Sequence, residues 1–98
     1  MSKTRKILWV DDEIEFLKSH VLFLNNRGYD VVMISNGYDA IERLKVESFE
    51  LILIDEIMPG MDGISTIESI RKANINIPII ILKIFKLFSP SFFKPLVS

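Results

Sequence analysis

Acidic residues end two short apolar runs in this sequence, and their types and spacing could support metal-dependent chemistry. Asp55 ends the apolar run LILI and precedes a turn rich in proline, glycine and aspartate. Asp11 and Asp12 follow the run KILWV near the start of the chain. A short apolar run closed by turn residues is typical of a strand buried on both faces of a parallel sheet. We therefore expect both acidic groups at the carboxyl ends of strands, the edge where open α/β sheets bind ligands.

A shared pocket for these carboxylates would require a cation. Two bare carboxylates about 4 Å apart repel each other by roughly 4 kcal/mol at an effective dielectric constant near 20. Ligands that are all oxygen atoms suit Mg²⁺. The sequence also permits a structural interpretation, in which Asp11 and Asp12 only cap the helix that follows them, because acidic side chains stabilise helix amino termini. The residue pattern alone leaves both interpretations open.

The elements that must position these residues alternate between strands and helices. The predicted strands span residues 6–10, 30–34, 51–55 and 79–82, each an apolar or β-branched run. The predicted helices span residues 13–27, 39–46 and 63–72, where apolar residues recur at three- and four-residue spacing. Gly28 is expected to stop the first helix, and Asn36-Gly37 to form a turn. This alternation predicts parallel strands joined by right-handed crossovers.

Two further expectations concern single side chains. The isoleucines of the third predicted helix, Ile64, Ile67 and Ile70, are expected to share one side that faces the core. His20 is the only histidine, and the chain has no cysteine. Because no second histidine or thiolate could share a metal or relay role with it, we interpret His20 as a structural residue.

Composition limits the class of protein. A chain of 98 residues suits one small domain. Its net charge of −1 does not favour nucleic-acid binding through bulk charge. The lack of cysteine excludes a disulfide scaffold and a thiolate metal site. The basic start precedes an apolar run too short for a secretory signal, so we expect a cytoplasmic protein that does not bind membranes.

The acidic segments ILWVDDE and LILIDEIMPGMDG together resemble the receiver domain of two-component response regulators. The resemblance covers residues 5–82 and implies a flavodoxin-like, doubly wound parallel sheet with strand order 2-1-3-4. It implies that Asp55 takes a phosphoryl group from a histidine kinase or a phosphotransfer protein, so that the chain is a phosphoacceptor and not an enzyme. It also implies an Mg²⁺ site in which Asp12 and Asp55 are ligands, Asp11 acts through water, and Ile57 contributes its backbone carbonyl.

The last part of the chain departs from the receiver pattern. Residues 83–98 hold three lysines, four of the seven phenylalanines and no acidic residue. Lys83 stands where receivers have serine or threonine, and Lys94-Pro95 resembles the family's Lys-Pro pair but comes too early in the chain. We expect residues 1–82 to form an incomplete receiver domain, with a fifth strand absent or makeshift, and residues 83–98 to form a divergent tail that is no separate domain. Lys83 and Lys94 are candidates for contact with the phosphoryl group through their positive charge.

Three interpretations of this tail stay open: a truncated or frame-shifted end, a shortened receiver whose makeshift last strand includes Lys94, and an anchor for a membrane or a partner. Lys83, Lys86 and Pro90 interrupt the apolar stretch too often for a helix that spans a membrane. With fewer helices to cover the sheet, isoleucine-rich strands would face water. We therefore expect marginal stability or self-association.

Two other functions are compatible with an acidic pocket. A metal-dependent phosphohydrolase with an aspartyl nucleophile would usually carry a second acid two residues after it, and that position holds Ile57. A receiver remnant that acts only through protein contacts would bind no Mg²⁺. If Asp55 is phosphorylated, Ile57 should also slow hydrolysis, because an apolar side chain cannot help to place water.

Overall fold

Parallel β-strands flanked by helices form this fold in a computed structural model, which describes residues 5–82. The elements in chain order are β1 (Arg5–Val10), a 3₁₀ turn (Ile14–Leu17), α1 (Lys18–Asn25), β2 (Tyr29–Ile34), α2 (Gly37–Val46), β3 (Leu51–Asp55), α3 (Gly63–Lys72) and β4 (Ile79–Leu82). The strands form one sheet in the order β2-β1-β3-β4, and all neighbouring pairs are parallel. This topology confirms the predicted flavodoxin-like sheet of order 2-1-3-4. The predicted tail, with Lys83 and Lys94, lies outside the described residues.

The register of the strands brings their ends level with one another. Val10, the last residue of β1, pairs with Ile34 of β2 and with Ile54 of β3. Asp55, the last residue of β3, pairs with Leu82 of β4. Because all four strands run in the same direction, these residues lie along one edge of the sheet, which we call the carboxyl edge.

An apolar core lies between the sheet and the helices α2 and α3. Its members from the strands are Leu8, Val10, Ile52 and Ile54, all fully buried, and those from the helices include Ala40, Leu44 and Ile70. Burial of one such large aliphatic side chain contributes about 1.5–3 kcal/mol. Since side chains alternate along a strand, the buried Ile7 and Trp9 of β1 point to the opposite face of the sheet. The strand β1 is therefore packed on both of its faces.

The first helix is shorter than the predicted span of residues 13–27. The Glu13 backbone N–H donates to Asp11 Oδ1 at 2.8 Å, an aspartate turn that competes with helical hydrogen bonding. The chain then makes a 3₁₀ turn, and α1 begins only at Lys18. Gly28 follows the helix with a φ of 92°, a conformation that glycine adopts without steric cost. The predicted stop at Gly28 is thus confirmed, whereas the predicted start was wrong.

The predicted turn at Asn36-Gly37 is instead the start of α2. Asn36 is the N-cap, and its side-chain oxygen accepts the Asp39 backbone N–H at 2.8 Å. Asparagine favours both turns and helix caps, so the residue type alone could not distinguish the two.

The side of α3 that faces the core also differs in part from the prediction. Ile70 is fully buried, but Ile64 is 46% exposed. The buried residues of this helix are Gly63, Thr66 and Ile70. The Thr66 hydroxyl donates to the Asp62 carbonyl at 2.8 Å, which satisfies its hydrogen bonding inside the protein. Within residues 5–82, no helix has both the length and the apolar character needed to cross a membrane.

Candidate metal centre

Three carboxylates meet at the carboxyl edge. Val10 and Ile54 are paired, so the residues that follow them, Asp11 and Asp55, leave two neighbouring strands at the same level. Asp12 follows directly. One carboxylate oxygen from each of the three aspartates lies within 4.8 Å of the other two. The crossover topology thus brings together acidic groups that are more than forty residues apart in the sequence.

Two of these carboxylates are inside the protein. Asp11 is 2% exposed and Asp55 is 1% exposed, whereas Asp12 is exposed to solvent. Burial of a carboxylate is costly unless hydrogen bonds or an opposite charge compensate it. A small divalent cation would fit this donor set, because the ligands are oxygen atoms and their combined charge is negative. The exposed Asp12 marks the side from which solvent reaches the pocket.

Backbone amides orient both buried carboxylates. Asp11 Oδ1 accepts the Glu13 N–H at 2.8 Å, and Asp55 Oδ1 accepts the Ile57 N–H at 3.3 Å. The Asp11 N–H donates to the Ile34 carbonyl at 3.0 Å, which continues the ladder between β1 and β2 by one residue. The two side chains are therefore positioned by the sheet and by the turns that follow it.

The loop from Glu56 to Asp62 closes tightly against the end of β3. Met58 is buried, and Gly60 has a φ of 79°. The Gly63 N–H donates to the Glu56 carbonyl at 3.0 Å, which ties the start of α3 to the residue after Asp55. Asp62 caps α3, and its side chain accepts the Ser65 backbone N–H at 2.8 Å. That hydrogen bond lowers the pKa of the Asp62 carboxyl, so the cap is charged at neutral pH.

The other residues singled out by the sequence have different positions. Ile57 follows Asp55 by two residues and its side chain is 62% exposed. The use of its carbonyl as a ligand stays a prediction, as does the division into residues 1–82 and a tail. His20 lines a cavity of about 390 Å³ with Trp9, Ser19, Phe23 and Leu24. In the part of the chain that the structure describes, the cluster of potential metal ligands does not include His20.

Sequence reasoning missed the groups that hold the carboxylates in place. These are the backbone amides of Glu13 and Ile57, and Gly63 at the start of α3. A backbone amide is not indicated by any particular residue type, so its role could not be predicted from the sequence. The only signal for Gly63 was a glycine at the predicted start of a helix, after an aspartate suited to capping it.

Open α/β proteins bind ligands at the carboxyl edge of their parallel sheet, and the carboxylate pocket of this chain lies at that edge. The family model of the response regulator receiver domain matches residues 7–86. The chain belongs to this family, and it is a receiver domain of two-component signal transduction.

Relatives and solved structures agree with this assignment. The transcriptional regulatory protein CpxR homolog of Haemophilus influenzae is 40% identical over 77 residues, which cover 79% of this chain and 33% of the relative. ZraR of Salmonella typhimurium is 37% identical over 79 residues, 81% of this chain and 18% of that protein. The receiver domain of the Francisella response regulator 1452 has a TM-score of 0.77 and 32% identity, over 90% of this chain and 71% of that one. The structure of Thermotoga maritima TrrA in complex with Mg²⁺ and BeF has a TM-score of 0.75 and 26% identity, and the match covers 96% of this chain and 77% of that one.

The chain spans a third or less of the length of these curated relatives. Their whole-protein activities therefore do not transfer to it. Membership of the family assigns only a receiver domain to this chain. Receiver domains generally accept phosphoryl groups, bind Mg²⁺ at an acidic pocket and interact with histidine kinases or phosphotransfer proteins.

Proposed function

We propose that this receiver domain takes a phosphoryl group onto Asp55 from a histidine kinase or a phosphotransfer protein, in a reaction that requires Mg²⁺. In this proposal Asp12 and Asp55 bind the ion directly, Asp11 acts through water, and the Ile57 backbone carbonyl is a further ligand. The observation that most supports the proposal is the approach of the three aspartate oxygens to within 4.8 Å of one another. Such a group of carboxylate oxygens suits a hard divalent cation such as Mg²⁺.

The chemistry needs one nucleophile and a means of neutralising charge. A carboxylate oxygen of Asp55 attacks the phosphorus atom, and the bond between phosphorus and the donor imidazole nitrogen breaks. The imidazole nitrogen keeps the electron pair and takes a proton from solvent. Bound Mg²⁺ would neutralise the phosphoryl oxygens during this transfer. The Ile57 N–H, 3.3 Å from Asp55 Oδ1, holds the carboxylate in one orientation, so that less ordering is needed when the donor arrives.

Incubation of the full chain with Mg²⁺ and a small acyl phosphate tests the proposal directly. We expect intact-mass analysis to show one added phosphoryl group, localised to Asp55 and removed by hydroxylamine, which cleaves acyl phosphates. The matched control is Asp55→Asn, whose amide cannot form an acyl phosphate. No mass gain on folded wild-type protein, or an equal gain on the asparagine variant, would contradict the assignment of Asp55.

The alternatives give different results in simple assays. A phosphohydrolase would release many equivalents of product from a chromogenic phosphate ester, whereas a phosphoacceptor would not turn over. The apolar, exposed Ile57 gives no support to hydrolysis, because it occupies the place of the expected second acid. A remnant that acts through protein contacts alone would show no affinity for Mg²⁺ in a titration.

A further inference from the structure

Gly63, at the start of α3, lies against the backbone that follows Asp55 in the acidic pocket. It is the first residue of the helix and is buried. A Cβ atom at this position would lie 2.5 Å from the Asp55 carbonyl oxygen and 2.9 Å from the Glu56 Cα. Both are backbone atoms, which cannot turn aside as the end of a flexible side chain can. A side chain at residue 63 would therefore force a shift of either the start of α3 or the peptide that follows Asp55, and so change how the two fit together.

The other glycines have different roles. Gly28 and Gly60 have φ angles of 92° and 79°, so they are needed for their backbone conformation. A Cβ would meet no atom within 4 Å at Gly28 and only the Tyr38 ring, at 3.8 Å, at Gly60. At Gly37 a Cβ would overlap with side-chain atoms, those of Thr66 and Met61. Gly63 differs from all three, because its lack of a side chain makes room for backbone of the pocket itself.

The backbone that Gly63 contacts also carries the groups that orient Asp55. The Gly63 N–H donates to the Glu56 carbonyl at 3.0 Å. The next residue is Ile57, whose N–H donates to Asp55 Oδ1 at 3.3 Å. The close contact of Gly63 with this backbone and its hydrogen bond to the Glu56 carbonyl together hold the segment from Asp55 to Ile57 against the first turn of α3. A shift of this segment would move both the carboxylate and the carbonyl that we propose as ligands.

We propose that Gly63 is a positioning residue of the acidic pocket, which sets the place of Asp55 and of the Ile57 backbone by seating α3 against the intervening peptide. This inference rests on the proposed function, in that the pocket is taken to bind Mg²⁺. It predicts that a side chain at residue 63 weakens Mg²⁺ binding, and that this loss of affinity is larger than the accompanying loss of folding stability can explain.

The test compares Gly63→Ala with Gly37→Ala in the full chain. Both glycines are buried first residues of helices, and both substitutions should lower Tm. Mg²⁺ titrations followed by amide chemical shifts should show a dissociation constant raised by about tenfold or more in Gly63→Ala, an effect typical when groups that orient metal ligands are altered. Gly37→Ala and Gly28→Ala should remain close to wild type. Unchanged Mg²⁺ affinity in Gly63→Ala, with a Tm loss like that of Gly37→Ala, would overturn the proposal.

A second readout does not depend on metal. Without Mg²⁺, hydrogen exchange at the Ile57 amide should be faster in Gly63→Ala than in Gly37→Ala, because the hydrogen bond to Asp55 is disturbed only in the first. Equal exchange rates in the two variants would overturn the positioning role of Gly63, whether or not the wild type binds Mg²⁺. A wild type that bound no Mg²⁺ would refute the proposed function instead. If Gly63→Ala is unfolded in buffer, both measurements are made in trimethylamine-N-oxide, which favours the folded state.

Discussion

At the scale of single residues, the pocket concentrates negative charge that the fold must tolerate. Asp11 and Asp55 are almost completely buried, and Asp12 lies within 4.8 Å of both. Backbone amides offset part of the cost through hydrogen bonds to two of the three side chains. We therefore expect the close approach of the three carboxylates to lower stability when no metal is bound.

Removal of one charge should therefore stabilise the protein when no metal is present. We expect Asp55→Asn to raise the free energy of unfolding by about 1–3 kcal/mol, since it relieves repulsion and the burial of a charge. Urea unfolding followed by circular dichroism measures this. The control is Asp30→Asn, at an exposed residue near the opposite, amino end of the strands, where Asp30 pairs with Lys6. A loss of stability in Asp55→Asn relative to that control would contradict the prediction.

Ile57 should affect the lifetime of the phosphorylated state. Its side chain is 62% exposed and follows Asp55 by two residues. Because an asparagine there could help to orient water, Ile57→Asn should shorten the phosphoaspartate lifetime by about threefold or more. The decay is measured by intact mass after removal of the phosphodonor. Val46→Asn, at an apolar residue that is 84% exposed at the end of α2, should have no effect, and equal lifetimes in all three proteins would refute the prediction.

At the scale of elements, the ion pair between Lys6 and Glu47 joins β1 to the residue that ends α2. The Glu47 carboxylate accepts hydrogen bonds from Lys6 Nζ and, at 3.1 Å, from an Arg43 guanidinium nitrogen. The hydrogen bond from Lys6 is the main cause of the lowered pKa of Glu47, with Arg43 acting in the same direction. These contacts secure α2 against the sheet at the edge remote from the acidic pocket.

The lowered pKa of Glu47 makes its contribution to stability dependent on pH. A carboxyl whose pKa is lower in the folded state stabilises that state above its ordinary value of 4.5, and the contribution is lost as the pH falls through the folded-state pKa. We therefore expect wild type to have a higher Tm than Glu47→Gln at neutral pH, and the two values to converge in acid. Thermal unfolding from neutral pH down to about pH 3 checks this. A difference that grew as the pH fell would have the wrong sign.

Several elements could be predicted from the sequence because their signals are local. The bounds of α3 and β4 agree with the predicted spans of residues 63–72 and 79–82. The clustering of Asp11 with Asp55 followed from parallel strands, whose carboxyl ends must share an edge. The start of α1 was not predicted because a local aspartate turn competes with helical hydrogen bonding there, and the exposure of Ile64 was not predicted because it depends on how α3 packs. Asp11 Oδ1 accepts the Glu13 backbone N–H just before the 3₁₀ turn, and in α3 Thr66 is buried whereas Ile64 is 46% exposed.

At the scale of the whole molecule, residues 5–82 cover one face of the sheet less well than the other. The register places Trp9, Leu53 and Ile80 in one row across β1, β3 and β4. On this side α1 packs against β2, and Ile80 at the far end of the row is 49% exposed. Phe23 on α1 is 54% exposed. Within residues 5–82, the row thus runs from a buried tryptophan to an isoleucine in contact with water.

We expect this face to mediate the self-association predicted from the sequence. Ile80→Lys should weaken association by about tenfold, because an ammonium group without a partner is costly in an apolar contact. Sedimentation velocity over a range of concentrations measures the effect. Val46→Lys introduces the same charge at an exposed site on α2 and serves as the control. A clean monomer in wild type, or equal association in both variants, would contradict this prediction.

Trp9 gives the chain an internal optical probe of its own chemistry. It is the only tryptophan, it is 3% exposed, and it lies on β1 two residues before Asp11. Indole emission is sensitive to nearby charge and packing, so events at the carboxyl edge and on the less covered face should both alter one unlabelled signal. We therefore expect both a titration with Mg²⁺ and a dilution series to change the tryptophan emission of the unlabelled chain.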